Sequence, residues 1–206
     1  NQPYLRMNHL HPPFNHVKAR QALLYIMEQD LYGQAITGDK SLYSVCPAFM
    51  MCGSTYGSSA GAIKPDLDKA RALMKEAGYA GEKIIMLEPT NHPAFDAATL
   101  MTASQLRKIG VNVELQGMDY NAMLTLSPMT NVYLASICDQ AAAGWPCDAE
   151  IERLKDEFAR APTLEARKAV AEKIQLRAME FVPYAPVLQT PTMMAHRKGI
   201  KNIAPT

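Results

Sequence analysis

The stretch KIIMLEPTNHPAFDAATLMTASQLRKIGVNVELQG, Lys83 to Gly117, constrains the fold most, because its hydrophobic rhythm changes twice. Ile84, Ile85, Met86 and Leu87 form a short apolar run with β-branched members, the pattern of a strand buried on both faces. Pro89, Asn91 and Pro93 interrupt it. Ala97, Leu100, Ala103, Ser104 and Arg107 then recur at helical spacing, Met101, Leu106 and Ile109 add apolar surface, and Gly110 supplies a C′ stop. Val111, Val113 and Leu115 alternate with Asn112, Glu114 and Gln116 as a second strand. Strand, crossover helix and strand of this length predict a parallel, right-handed βαβ unit. Ligands of such units are met at the strand carboxyl ends. Glu88, Thr90 and His92 after the first strand, and Asp119 and Tyr120 after the second, are therefore the candidate ligand-binding residues. Spacing alone leaves open that both loops are solvated turns.

Around this unit the chain reads as helices and short extended segments. Tyr4 to His9 is strand-like and is ended by Pro12 and Pro13, which cannot donate to a ladder. Asn15 is positioned to cap a helix running to about Gln29, and Asp30 a shorter one ending near Gly38. From Asp39 to Lys64 there is no periodicity, only glycines, serines and two cysteines, so a long ordered loop is expected. GSSAG within it lacks the flanking strand and helix of a nucleophile elbow. Pro65 and Asp66 open a helix closed by Gly78. Asp119 can cap a short helix, Asp148 another with Ile151, Leu154 and Phe158 inward, and Thr163 a long one carrying Val170, Ile174, Ala178 and Phe181. Glu150 with Lys155 and Glu165 with Lys168 read as surface pairs. Tyr184 to Leu188 and Met193 to Ala195 are expected to be extended.

Twenty-one basic against 20 acidic residues give a formal charge of +1, which leaves no electrostatic footprint for nucleic acid or an anionic membrane. No apolar run reaches the length of a bilayer span. The 206 residues, 48% of them hydrophobic, suffice for one substantial core. The four cysteines fall into two local pairs, Cys46 with Cys52 and Cys138 with Cys147, without zinc-site spacing. Two short-loop disulfides would fit an oxidising compartment, and four buried thiols a reducing one.

Chemistry on a substrate finds little support. His9, His11, His16, His92 and His196 form no HExxH or other helix-spaced ligand set, so no catalytic residue, metal site or cofactor is assigned. His9 and His11 would share a face if they alternate on a strand, and with 13 methionines this keeps a soft-metal or haem role as an alternative. A thiol hydrolase built on Cys138 or Cys147 is a second one. Trp145, between Gly144 and Pro146, would either stack on a ligand at a cleft or plug the core beneath the Cys138–Cys147 loop.

Four ordered stretches resemble one family, the peptide, dipeptide and nickel type (family 5) of solute-binding protein that serves bacterial ABC importers. NHLHPPFNHVKARQALLYIMEQDLYGQAITGD, Asn8 to Asp39, is similar to its Asn, Pro-Pro, Phe and Arg-x-Ala-Leu helix pattern, with Arg20, Ala22 and Leu23 in place. PDLDKARALMKEAGY, Pro65 to Tyr79, QLRKIGVNVEL, Gln105 to Leu115, and FVPYAPVLQTPTMMAHRKGIKNI, Phe181 to Ile203, resemble three further family stretches. Arg20 and the prolines are assigned to the fold.

The resemblance implies a periplasmic-binding-protein-like α/β lobe, residues 1–206, with a mixed sheet, a βαβ unit and helices packed on it. It would be the carboxyl-terminal lobe of a two-lobed protein, the first lobe being absent. It implies capture of a short peptide or similar solute for a membrane permease, by a monomeric, periplasmic or lipid-anchored protein that is not an enzyme and has no nucleic-acid partner. A metal-, nickel-complex- or haem-binding relative is the alternative within the family. One departure stands out: between Met123 and Trp145 the family pattern carries more chain, and the acidic residue that takes a dipeptide's ammonium has no matching position.

Overall fold

The computed structural model describes residues 2–126 and 144–191. Its elements are β1 (Tyr4–Leu5), α1 (Val17–Ile26), α2 (Gln29–Thr37), a 3-10 turn at Lys40–Leu42, α3 (Leu67–Glu76), β2 (Ile84–Pro89), α4 (Pro93–Lys108), β3 (Val113–Met118), α5 (Tyr120–Leu126), α6 (Ala149–Arg160), α7 (Leu164–Phe181) and β4 (Ala185–Pro186). Among the described residues no helix is long and apolar enough to cross a membrane.

The βαβ unit forms with β2 and β3 parallel, in register from Ile84 opposite Val113 to Pro89 opposite Met118. Pro93 occupies the first turn of α4, where its missing N–H costs nothing, and Gly110 takes φ 87° just beyond its end. Burial differs from the sequence expectation. Ile84 is buried, but Ile85 is 56% and Leu87 37% exposed. Among the described residues one face of the pair is covered, with Ala103 and Leu106 of α4 in the same core cluster as Ile84 and Val113. An apolar run is therefore a poor guide to two-sided burial here.

The antiparallel pairing involves β1 and β4, Tyr4 opposite Pro186 and Leu5 opposite Ala185. The mixed α/β character is present, but the parallel and antiparallel ladders are separate two-stranded sheets among the described residues. The strand expected from Tyr4 to His9 shortens to two residues, because His9 turns away to donate its N–H to the Gly144 carbonyl at 2.7 Å. His9 and His11 consequently do not share a strand face. Met193 to Ala195 lies outside the described residues.

Helix α1 is capped by His16, not by Asn15: His16 Nδ1 accepts the Lys18 N–H at 3.2 Å. Its inner face of Ala19, Ala22, Leu23 and Ile26 enters the core with Ala70, Leu73 and Met74 of α3. Arg20, 4% exposed, is satisfied by protein alone. It donates to the Phe181 carbonyl from Nε and Nη2 at 3.1 and 3.0 Å and to Phe14 at 2.8 Å, and its guanidinium lies over the Phe181 ring. That is a structural role, as assigned from sequence.

The long loop is fastened at several points. Cys46 and Cys52 form a disulfide, and Ser44 bridges Gln189. Buried Gln29 donates to the Cys46 and Pro186 carbonyls, and buried Gln175 accepts the Phe49 N–H at 2.9 Å. Cys147 is disulfide-bonded; Cys138 lies outside the described residues. Helices α6 and α7 form a hairpin, capped by Asp148 and Thr163 as expected. Surface pairs within α6 include Arg153 with Glu150 and Glu157, and Lys155 with Glu152. Spacing of about one helical turn holds each pair together.

Candidate functional site

The parallel register brings the carboxyl ends of β2 and β3 side by side, so the two candidate loops meet. Glu88 stands opposite Gly117, and Thr90 continues the ladder by donating its N–H to the Met118 carbonyl at 3.1 Å. Gly117 keeps the approach close: a Cβ there would come within 3.2 Å of Thr90 Cγ2. His92 sits at the N-cap of α4, accepting the Phe95 and Asp96 N–H groups through its carbonyl. Its half-buried ring stacks on Phe95, with centroids 4.0 Å apart and planes at 15°. Tyr120, the first residue of α5, closes the cluster at 5.1 Å from His92 and 5.4 Å from Phe95.

Glu88, Thr90, His92, Asp119 and Tyr120 are thus brought to one end of the ladder. Two further residues of this cluster are not marked as site members by sequence alone. Phe95 follows His92 by three residues, which places the two rings on one side of the first helical turn. Asn91 reads in the sequence as a strand breaker; in the fold it holds the β3–α5 loop through Asp119 and the Tyr120 N–H. The Nδ1 atom of His92 and Oδ1 of Asp96 are buried without partners among the described residues. Buried polar atoms of this kind are uncommon and call for a functional or solvent partner.

Trp145 takes part in none of these contacts. It is 38% exposed with φ 53°, so it is not a core plug. Gly144 before it, at φ 98°, lies against Met7, where a Cβ would collide with the Met7 carbonyl oxygen. No three His, Cys, Asp or Glu side chains are grouped to hold a metal among the described residues. Cys46, Cys52 and Cys147 are all in disulfides, which removes Cys147 as the thiol nucleophile considered from sequence.

The cluster of Glu88, Thr90, Asn91, His92, Phe95, Asp119 and Tyr120 presents two carboxylates, an amide, two hydroxyls and three rings, and no lysine or arginine. Such a surface can hydrogen-bond and stack on a small polar solute.

The chain resembles several known proteins. The probable peptide ABC transporter periplasmic-binding protein y4tO of Sinorhizobium fredii is 33% identical over 232 residues, covering 98% of this chain and 43% of that protein. Since 98% of 206 residues is 202, about 30 of those aligned positions have no counterpart in this chain. The glutathione-binding protein GsiB of Salmonella typhimurium is 34% identical over 121 residues, 57% of this chain and 23% of its own length. Among solved structures, the ABC transporter substrate-binding protein CtaP of Listeria monocytogenes superposes with a TM-score of 0.82 at 19% identity, over 92% of this chain and 43% of that one. A dipeptide-binding protein of a Pseudoalteromonas species in complex with Met-Leu gives 0.73 at 20%, over 92% and 44%. These likenesses establish the periplasmic-binding-protein fold, and the chain spans less than half the length of these relatives. The model for the middle region of the bacterial extracellular solute-binding proteins, family 5, matches residues 1–146, and the chain belongs to that family.

Proposed function

We propose that residues 1–206 form one lobe of a two-lobed solute-binding component of an ABC importer, capturing a short peptide or similar small solute in the cleft between lobes. The observation that carries this reading is the convergence of Glu88, Thr90, His92, Asp119 and Tyr120 at the carboxyl ends of a parallel ladder. Trp145, an exposed ring, is a further surface for stacking. The ligand undergoes no chemistry. Closure of the first lobe over this patch traps it, and the closed form docks on the membrane permease; a ligand drives that closure only by preferring the closed state. The protein works as a monomer outside the cytoplasm, in keeping with the Cys46–Cys52 disulfide.

A half-site follows directly. One wall of a cleft buries a fraction of a small ligand, and the remaining contacts do not offset the lost translational freedom. Calorimetric titration of this chain with short peptides is expected to give affinity no tighter than millimolar, detectable only at the highest peptide concentrations. Micromolar binding by this lobe alone would contradict the two-lobe reading.

A further inference from the structure

Both ends of the Asn91 side-chain amide are engaged across the gap between the two site loops. Its Oδ1 accepts the Tyr120 N–H at 2.7 Å, and its Nδ2 donates to Oδ2 of Asp119. The other carboxylate oxygen of Asp119 accepts the N–H groups of Asn121 at 2.8 Å and Ala122 at 3.4 Å, capping α5. An unbroken chain of hydrogen bonds therefore runs from the β2–α4 loop through Asn91 and Asp119 into the first turn of α5. Tyr120, whose N–H this chain captures, is also the residue whose ring meets His92 and Phe95.

We infer that Asn91 is the positioning residue of this site: its carboxamide locks the β3–α5 loop to the β2–α4 loop and so sets where Tyr120 stands against His92 and Phe95. The inference deepens the solute-binding reading and rests on it for its functional meaning. The chemistry is specific to a carboxamide. The position needs an acceptor for a backbone N–H and a donor for a carboxylate on one short, rigid group. The reversed amide would set oxygen against carboxylate and NH2 against N–H, so the network fixes its orientation. Aspartate has the right shape but no donor when ionised, and would place a second negative charge beside Asp119. Glutamine carries its amide one methylene too far.

The test is ring-to-ring cross-peaks from Tyr120 to His92 and Phe95 in nuclear magnetic resonance spectra of the whole 206-residue chain. The unmodified chain is expected to show them, and Asn91→Asp to lose them while the amide signals of β2 and β3 stay in place. The exchanged pair Asn91→Asp with Asp119→Asn should regain them, because the carboxamide now at position 119 can donate to the carboxylate at position 91 and still cap α5 through its own oxygen. A role in general stability alone would give no such rescue. Retained cross-peaks in Asn91→Asp, or a folded exchanged pair that lacks them, would overturn the inference. A measurement on the unmodified chain covers the case in which a variant does not fold. The Asn91 side-chain amide protons should exchange with solvent more slowly than those of exposed Asn121, and equal rates would also overturn it. No readout here contains a ligand, so failure of the solute-binding reading, tested by peptide titration, is separate from failure of this one.

Discussion

Arg177 reaches across the α6–α7 hairpin to Asp148, Nε to Oδ1 at 3.1 Å and Nη2 to Oδ2 at 2.6 Å, while the same Oδ1 accepts the Ile151 N–H at 2.9 Å. One carboxylate both caps α6 and ties it to α7. The bonds from Arg177 hold the Asp148 carboxyl below the ordinary 3.8, against the opposing effect of its burial. A depressed carboxyl contributes stability that is complete above the unfolded value and is lost as pH falls through the folded one. Asp148→Ala should therefore cost about 2 kcal/mol at neutral pH, the sum of a lost cap and a partly exposed ion pair. The difference from the unmodified chain should shrink as the medium is acidified below the ordinary carboxylate range. Urea denaturation at both ends of that range checks this; an equal difference in acid would contradict it.

His9 also makes the fold acid-sensitive, but as a ring kept neutral rather than a carboxylate kept charged. Burial, and then the nearby charge of Arg20, lower its pKa to about 4, although the Pro183 carbonyl at 3.1 Å from Nε2 acts to raise it. A carbonyl only accepts, so the neutral ring carries its proton on Nε2. The unfolded chain binds this proton near 6.5 and the folded chain does not, so stability is complete above 6.5 and falls as pH drops towards 4. After allowance for solvent screening of a half-buried ring, about 1–2 kcal/mol should be lost across that window. His9→Gln, which keeps a donor for Pro183, should flatten the slope. A His9 resonance titrating near 6.5 in the folded chain would contradict the account.

Most capping residues were legible in the sequence because their physics is local, but Asp30, expected to cap the second helix, lies within the first turn of α2 behind the N-cap Glu28. Asp66, Asp148 and Thr163 each accept an N–H three residues on, and Gly38, Gly78 and Gly110 each take a positive φ. The βαβ unit was legible because two changes of period fit no other arrangement of that length. Tertiary facts were not. Ile85 and Leu87 read as doubly buried and are exposed, since an apolar run records composition and not what packs on each face. His16 takes the place of Asn15 as a cap because an imidazole nitrogen can accept an N–H as an amide oxygen does. Of the site, the strand-end loops could be named from topology. The bridging amide of Asn91 and the stack of Phe95 on His92 depend on how two loops separated by a helix come together, which spacing does not encode.

Gly33 separates space from propensity. It lies within α2, and a Cβ there would collide with three ring carbons of Tyr43, whose hydroxyl donates to Asp30 Oδ1 at 3.1 Å. Gly33→Ala would gain about 1 kcal/mol of helix propensity if the site were open. Displacing a buried tyrosine costs about 1–3 kcal/mol. The displacement outweighs the propensity, so Gly33→Ala should lower the melting temperature; a rise would show that the ring moves aside freely.

The Cys46–Cys52 bond closes a short loop whose backbone is also held by Gln29 and Gln175. Chain-entropy arguments put a loop of this size at about 2 kcal/mol. Cys46→Ala with Cys52→Ala, which leaves the Cys147 bond in place, should lose about that much in denaturant titrations. A loss near zero would mean that the buried glutamines alone fix the loop.

The most direct test of solute binding at the strand ends is an amide chemical-shift map of this chain as short peptides are added to millimolar concentration. Fast-exchange shifts are expected to concentrate at Glu88 to Phe95 and Gly117 to Tyr120, saturating only in the millimolar range. Shifts confined to other surfaces, or none at the highest peptide concentration, would contradict it.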